Sequence, residues 1–197
     1  IDCPSDGTYL DYFLPSNIED IFNKKIENLN IKLDKDYIVF SPFSRWDTKD
    51  LSIKKSREII EEIRKISKIQ IIISATHDYN DKCIEIANGF ENVLNTSSYF
   101  NLNELAYLIK ESSAMITSDS FPMHTGCAFK KPLIAIFGPT SEVRVGPIAE
   151  NSETIRVEGL ECARCYKRKN CPNNHICIEN IDAKLVATRI LQKIGYL

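Results

Sequence analysis

The chain has 197 residues and a mass of 22.5 kDa, enough for one good hydrophobic core and a tail besides. Its 25 basic and 27 acidic residues leave a net charge of −2, so no global field draws it to nucleic acid and only local patches remain to consider. No apolar run approaches ~18 residues, which excludes a membrane-spanning helix, and the opening IDCPSDGTYLDYFLP has neither the basic nor the apolar region of a secretion signal.

The first residue is Ile1 rather than Met, which marks a processed chain or a piece of a longer one. Residues 1–36 read as a connector or the end of a preceding domain, with a tyrosine-rich opening, a short helix over 18–29 and a polar connection at Lys35-Asp36. A regular alternation follows. Residues 37–43 predict a strand, and 52–67 a helix with Ile59, Ile60, Ile63 and Ile66 along one face. An unbroken β-branched strand over 69–74 precedes a helix over 79–88 and a short strand over 92–94. Asn101 with Glu104 three residues on predicts a capped helix over 102–111. A buried strand over 114–117 breaks into the polar turn Ser118-Asp119-Ser120, then a short helix opened by Phe121 and Pro122. A second buried strand over 133–137 ends in Gly138-Pro139-Thr140. An edge strand over 153–157 and a helix over 183–194, capped by Asp182, complete the pattern. Strand–helix alternation with apolar strands predicts a doubly wound, parallel α/β sheet of Rossmann-like type over 37–197, with a cysteine-rich loop over 160–180.

Such a sheet gathers the C-terminal ends of its strands on one edge. Here those ends carry Ser41-Pro42-Phe43-Ser44-Arg45, Ala75-Thr76-His77-Asp78, Ser118-Asp119-Ser120 and Gly138-Pro139-Thr140, with Lys49 just past the first strand. Ser120 is placed to cap the Phe121 helix, whose opening N–H groups suit an anion, phosphate being the usual one. Two common phosphate sites are absent: there is no G-x-G-x-x-G after a strand and no G-x-x-x-x-G-K-[ST].

Asp119-Ser120-Phe121-Pro122-Met123-His124, then Lys131-Pro132 and Phe137-Gly138-Pro139-Thr140, resemble the donor-binding half of glycosyltransferase family nine, the heptosyltransferases of lipopolysaccharide synthesis. Arg45-Trp46-x-x-Lys49 and the four cysteines Cys162, Cys165, Cys171 and Cys177 add to the likeness, which covers roughly 37–194 in the right order. The resemblance implies the C-terminal half of a GT-B architecture, with an N-terminal domain that would supply the catalytic base. It implies inverting heptosyl transfer from an ADP-type sugar donor to a lipid-linked or saccharide acceptor, with no cofactor required for catalysis. Phe121 departs from the family pattern, which has glycine there.

Transfer from a nucleoside-diphosphate sugar leaves negative charge on the β-phosphate, so this side of the cleft must stabilise a leaving group. The resemblance gives Lys49 that role as a mobile point charge, together with the amides of Ser120, Phe121, Pro122 and Met123. Asp119 would accept hydrogen bonds from donor hydroxyls, Ser44 and Thr140 would bind phosphate oxygens, and His124 would act as a neutral donor. Asp78 and Gly138 join the expected donor contacts. Each residue also has a plainer use: Asp119 and Ser120 as a cap, Lys49 as a solvated charge, His124 and Trp46 as packing, Thr140 as a turn residue. Their convergence on one sheet edge is what favours function.

Seven cysteines are present. Cys83 and Cys127 fall in predicted helices as small hydrophobes, Cys3 stands apart, and the composition suits a reducing cytoplasm. Cys162-x2-Cys165-x5-Cys171-x5-Cys177 lies in a loop with little apolar content, where a structural zinc or iron ion would tie the segment together; reduced thiols are the alternative. His175 is a substitute ligand. The same loop is basic at Arg164, Lys167, Arg168 and Lys169, which suits acceptor phosphates or an anionic membrane surface at the inner face of the inner membrane, or simply solvent. Two other functions fit the pattern less closely. One is a different GT-B sugar-nucleotide enzyme, a hexosamine transferase or an epimerase. The other is a non-catalytic, metal-stabilised interaction module.

Overall fold

The structure is a computed structural model and describes residues 9–197; Cys3 lies outside the described residues. Helix α1 (Ile18–Asn28) is followed by strand β1 (Tyr37–Ser41), α2 (Ile53–Arg64), β2 (Gln70–Ile73), α3 (Asn80–Ala87), β3 (Val93–Asn95) and α4 (Leu102–Glu111). The second half runs β4 (Ala114–Ser118), α5 (Phe121–Ala128), β5 (Leu133–Phe137), α6 (Glu142–Val145), β6 (Ser152–Arg156), α7 (Ile176–Glu179) and α8 (Ala183–Lys193). The strands form one parallel sheet in the order β3-β2-β1-β4-β5-β6. Chain direction across the sheet reverses between β1 and β4, where Val39 pairs with Met115 on one side and with Ile72 on the other. This is the doubly wound Rossmann-like order.

Both faces of the sheet are covered, which is why the strands read as unbroken apolar runs. Alternate residues divide between two cores. Ile38, Phe40, Ile71, Ile73, Ile116, Ile134 and Ile136 face α2, α3 and α8. Tyr37, Val39, Ile72, Met115, Leu133, Ala135 and Phe137 face the other way, toward α1, α4 and α5. Each fully buried Ile of this kind contributes about 1.5–3 kcal/mol of transfer free energy.

Element ends differ from the sequence reading by one to three residues, for local reasons. β1 stops at Ser41 because Pro42 has no N–H to continue the ladder. α2 begins after Ser52, whose hydroxyl accepts from the Lys55 amide at 3.1 Å. The full capping box forms at α4: Glu104 N–H donates to Asn101 Oδ1 and Asn101 N–H to Glu104 Oε2. Asp182 caps α8 through the Leu185 amide. The described part of the stretch expected as a connector packs on the domain. Ile18 and Phe22 are buried, Phe22 stacks on Phe100 with ring centroids 5.1 Å apart, and Lys25 pairs with Glu104 at 2.6 Å.

Candidate functional site

The crevice opens where β1 and β4 part company at their C-terminal ends. β1 leads through Pro42 into a loop that makes one 3₁₀ turn over Asp47–Lys49. This turn aims Lys49 back across the switch point. Its Nζ lies 2.9 Å from Asp119 Oδ2 and also donates to the Asp119 carbonyl oxygen at 3.2 Å. Thr140, at the end of β5, donates its hydroxyl to the same Asp119 Oδ2 at 2.8 Å. Three strand ends distant in sequence thus meet on one carboxylate oxygen. All three side chains are largely out of solvent, with 14% exposure for Lys49 and 7% for Asp119. In such surroundings an ion pair is screened far less than on the surface.

The sequence reading expects Lys49 as a mobile point charge; in the structure it is paired. Besides Asp119, its ammonium sits 4.3 Å from the centre of the Trp46 ring, and the guanidinium of Arg168 lies 4.6 Å from that ring centre. Ser44 stabilises the same loop: its amide donates to Asp50 Oδ1 at 2.7 Å, its hydroxyl donates to Trp46 O, and Tyr79 donates to its carbonyl at 2.8 Å.

The start of α5 differs from expectation in three respects. Ser120 occupies the cap position, but its hydroxyl donates to Ser118 O at 3.2 Å instead of accepting from the helix. Pro122 carries no N–H, and the Met123 amide already donates to Ser120 O at 3.1 Å. The cradle expected from four amides therefore reduces to those of Ser120 and Phe121, next to Lys49 and Asp119. The Met123 side chain is fully buried in the core, whereas His124 is exposed. The Phe121 ring meets Tyr12 edge-on at 6.1 Å, and Tyr12 also meets Phe129 at the far end of α5. Tyr12 lies along the flank of α5 and touches the aromatic ring that replaces the glycine of the family pattern, a ring that stays 39% exposed.

Asp78 is exposed in the 3₁₀ turn after β2, and among the described residues no hydrogen bond or ion pair joins it to the Lys49 cluster. Gly138 serves packing: a Cβ there would come 2.8 Å from Ile178 Cδ1 and 3.0 Å from Cys177 Sγ, so its bare backbone makes room for α7.

The four clustered cysteines do come together. Cys162, Cys165, Cys171 and Cys177 line one cavity of about 30 Å³ with Thr48, Pro139, Lys167 and Ile176. Burial, and then the neighbouring Cys171, Cys162 and Cys165, pushes the Cys177 thiol up to about 11. The His175 amide points at Cys171 Sγ at 3.4 Å, and Arg164, Tyr166, Asn174 and His175 take positive φ in the tight turns between. All four are free thiols, and among the described residues no group of three or more His, Cys, Asp or Glu side chains is arranged to hold a metal ion. Of the four basic loop residues, Arg164 is committed to Glu142 at 2.5 Å and Arg168 to Trp46. Lys167 and Lys169 are exposed.

The sequence had no signal for the contact of Arg168 with the Trp46 ring or for the buried hydroxyl of Thr48, which donates to Lys167 O at 2.5 Å. Both depend on where the loop over 160–180 lands.

A doubly wound parallel sheet with a lysine, a carboxylate and a helix start at its switch point defines an α/β domain built to receive a ligand at its strand ends. The chain belongs to glycosyltransferase family 9 (heptosyltransferase), whose sequence profile it matches over residues 12–176. It is 26% identical over 162 residues to lipooligosaccharide heptosyltransferase 2 of Campylobacter jejuni serotype O:6, which takes in 77% of this chain and 47% of that protein. In fold it is similar to E. coli ADP-heptose LPS heptosyltransferase II, with a TM-score of 0.78 at 17% identity over 98% of this chain and 56% of the other. It is also similar to the dodecameric iron-containing heptosyltransferase TibC in complex with ADP-D-β-D-heptose, with a TM-score of 0.63 at 14% identity over 83% of this chain and 46% of that one. The chain spans less than half the length of the curated relatives it matches. Among the described residues no helix is long and apolar enough to cross a membrane.

Proposed function

We propose that the chain is the donor-binding half of an inverting heptosyltransferase of lipopolysaccharide core synthesis, with an ADP-heptose-like donor. The observation that carries this reading is the meeting of Lys49, Asp119 and Thr140 beside the first amides of α5. The diphosphate would bridge Lys49 Nζ and the Ser120 and Phe121 N–H groups. Asp119 would present its second carboxylate oxygen to a sugar hydroxyl, while Lys49 and Thr140 fix the first. Without Lys49 the carboxylate would repel the incoming phosphates; paired, it is neutralised before the ligand arrives.

In the reaction the bond from the anomeric carbon to the β-phosphate oxygen breaks as the acceptor oxygen bonds to that carbon from the opposite side. Both electrons of the broken bond stay on the phosphate, and the acceptor proton passes to a base outside the residues named here. What this chain supplies is fixed charge and dipole where the negative charge develops. The acceptor would be a saccharide or lipid-linked saccharide, met at the inner face of the membrane, with Lys167 and Lys169 free to face its phosphates.

We also propose a structural zinc or iron ion on Cys162, Cys165, Cys171 and Cys177. The four thiols share one small cavity, the donor set is all sulfur, and the similar TibC enzyme is iron-containing. The thiols would reorient toward that cavity, and the ion would order the loop without entering the chemistry. Metal analysis of reductively purified protein would find about one ion per chain if the proposal holds.

Calorimetric titration with ADP tests the main reading. Lys49→Ala should weaken ADP by about ten- to a hundredfold, the usual range for losing a charge-assisted contact. No binding of ADP or UDP at millimolar concentration, or binding indifferent to Lys49→Ala, would count against it.

A further inference from the structure

We infer that the cysteine-rich loop is a clasp that sets the position of Lys49, with Thr48, Trp46 and Arg168 as its positioning residues; the inference rests on the donor-binding role proposed for Lys49. The loop touches the donor crevice at both walls. On the β1 side, the Thr48 hydroxyl donates to Lys167 O at 2.5 Å, and Thr48 is only 3% exposed. One residue on, the Lys49 ammonium lies over the Trp46 ring, which the Arg168 guanidinium also approaches. Trp46 and Thr48 therefore carry the 3₁₀ turn that ends in Lys49, and each has a partner in the loop.

On the β5 side the Tyr166 amide donates to Pro139 O at 2.9 Å, and the Ser141 amide donates to the Tyr166 hydroxyl at 3.3 Å. These contacts flank Thr140, the other residue on the Asp119 carboxylate. Arg164 holds Glu142 just beyond, and α7 closes over Gly138. The base of the loop is anchored at α2, where Ser52 donates to Glu179 Oε2 at 3.1 Å. A single segment thus braces the turns that deliver Lys49 and Thr140. Asp119 holds the Lys49 ammonium against the nearby Arg168 charge, and the loop fixes the turn that carries it through Thr48. Displacing the loop frees that turn and loosens the lysine.

A merely structural loop would have the same contacts, so the test must read Lys49 itself. In the free protein, the rate of Lys49 acetylation by a small acylating reagent, followed by peptide mass spectrometry, reports how firmly the ammonium is held. Lys54, whose side chain is 81% exposed, is the internal control. Thr48→Val should speed Lys49 acetylation severalfold with Lys54 unchanged, and Thr48→Ser should restore the slow rate. Thr48→Val should also weaken ADP about three- to tenfold, as expected for losing one hydrogen bond. In a Lys49→Ala background that weakening should vanish, because the clasp acts through the lysine. Unchanged Lys49 acetylation, or equal weakening of ADP with and without Lys49, would overturn the inference. If no form of the protein binds ADP, the donor-binding reading fails, and the acetylation rates alone decide whether the clasp exists.

Discussion

The sheet and the cysteine-rich loop border the same crevice, but they are held there by different means. The strands are fixed by what they bury: each alternate residue enters one of two apolar cores, and the register follows from that. The loop over 160–175 buries almost nothing of its own. It is held by single polar contacts to Thr48, Pro139 and Glu142, and by packing of α7 on Gly138. Hydrophobic burial places the site, and a few directed bonds to a polar loop adjust it. A segment held in the second way is easier to order, or to release, through a metal or a thiol.

That contrast can be broken at either end. Ile116→Ala, in the centre of β4 and fully buried, should destabilise the domain by about 2–5 kcal/mol in urea denaturation, the loop unfolding with it. A change at the seam is milder. Gly138→Ala brings a methyl group against Ile178 and Cys177, and should cost about 1–3 kcal/mol while leaving the Lys49–Asp119 pair in place. The smallest effect is on pH dependence. Burial works to raise the Glu142 carboxyl, but Arg164, its own backbone amide and Arg156 together outweigh it and leave the group below its ordinary value. A depressed carboxyl adds stability above the unfolded carboxylate range and loses it as pH falls through the folded value. Glu142→Gln should therefore flatten the loss of stability between about pH 5 and pH 3, read from urea midpoints. An unchanged acid limb would mean that the loop does not depend on this contact.

What could be read from the sequence follows the same division. The order of strands and helices was legible because β-branched runs and capping residues such as Asn101, Glu104 and Asp182 act locally. Lys49, Asp119 and Thr140 could be placed on one sheet edge, because a doubly wound topology fixes where strand ends go. The hydroxyl of Ser120 was misjudged because it donates to a local acceptor, Ser118 O, rather than accepting from the helix amides. The role of Gly138 was hidden, since nothing in Phe137-Gly138-Pro139 reveals that α7 will lie on it. α6 and α7, four residues each, are too short for periodicity to mark. The approach of Arg168 to the Trp46 ring depends on tertiary contact alone.

The central claim is that Lys49 and the first amides of α5 hold one diphosphate between them. The most direct test is an experimental structure of the protein with ADP. The account predicts a β-phosphate oxygen at about 3 Å from both Lys49 Nζ and the Phe121 amide, with Thr140 still on Asp119. A diphosphate bound away from the β1–β4 switch point, with the α5 amides facing solvent, would contradict it.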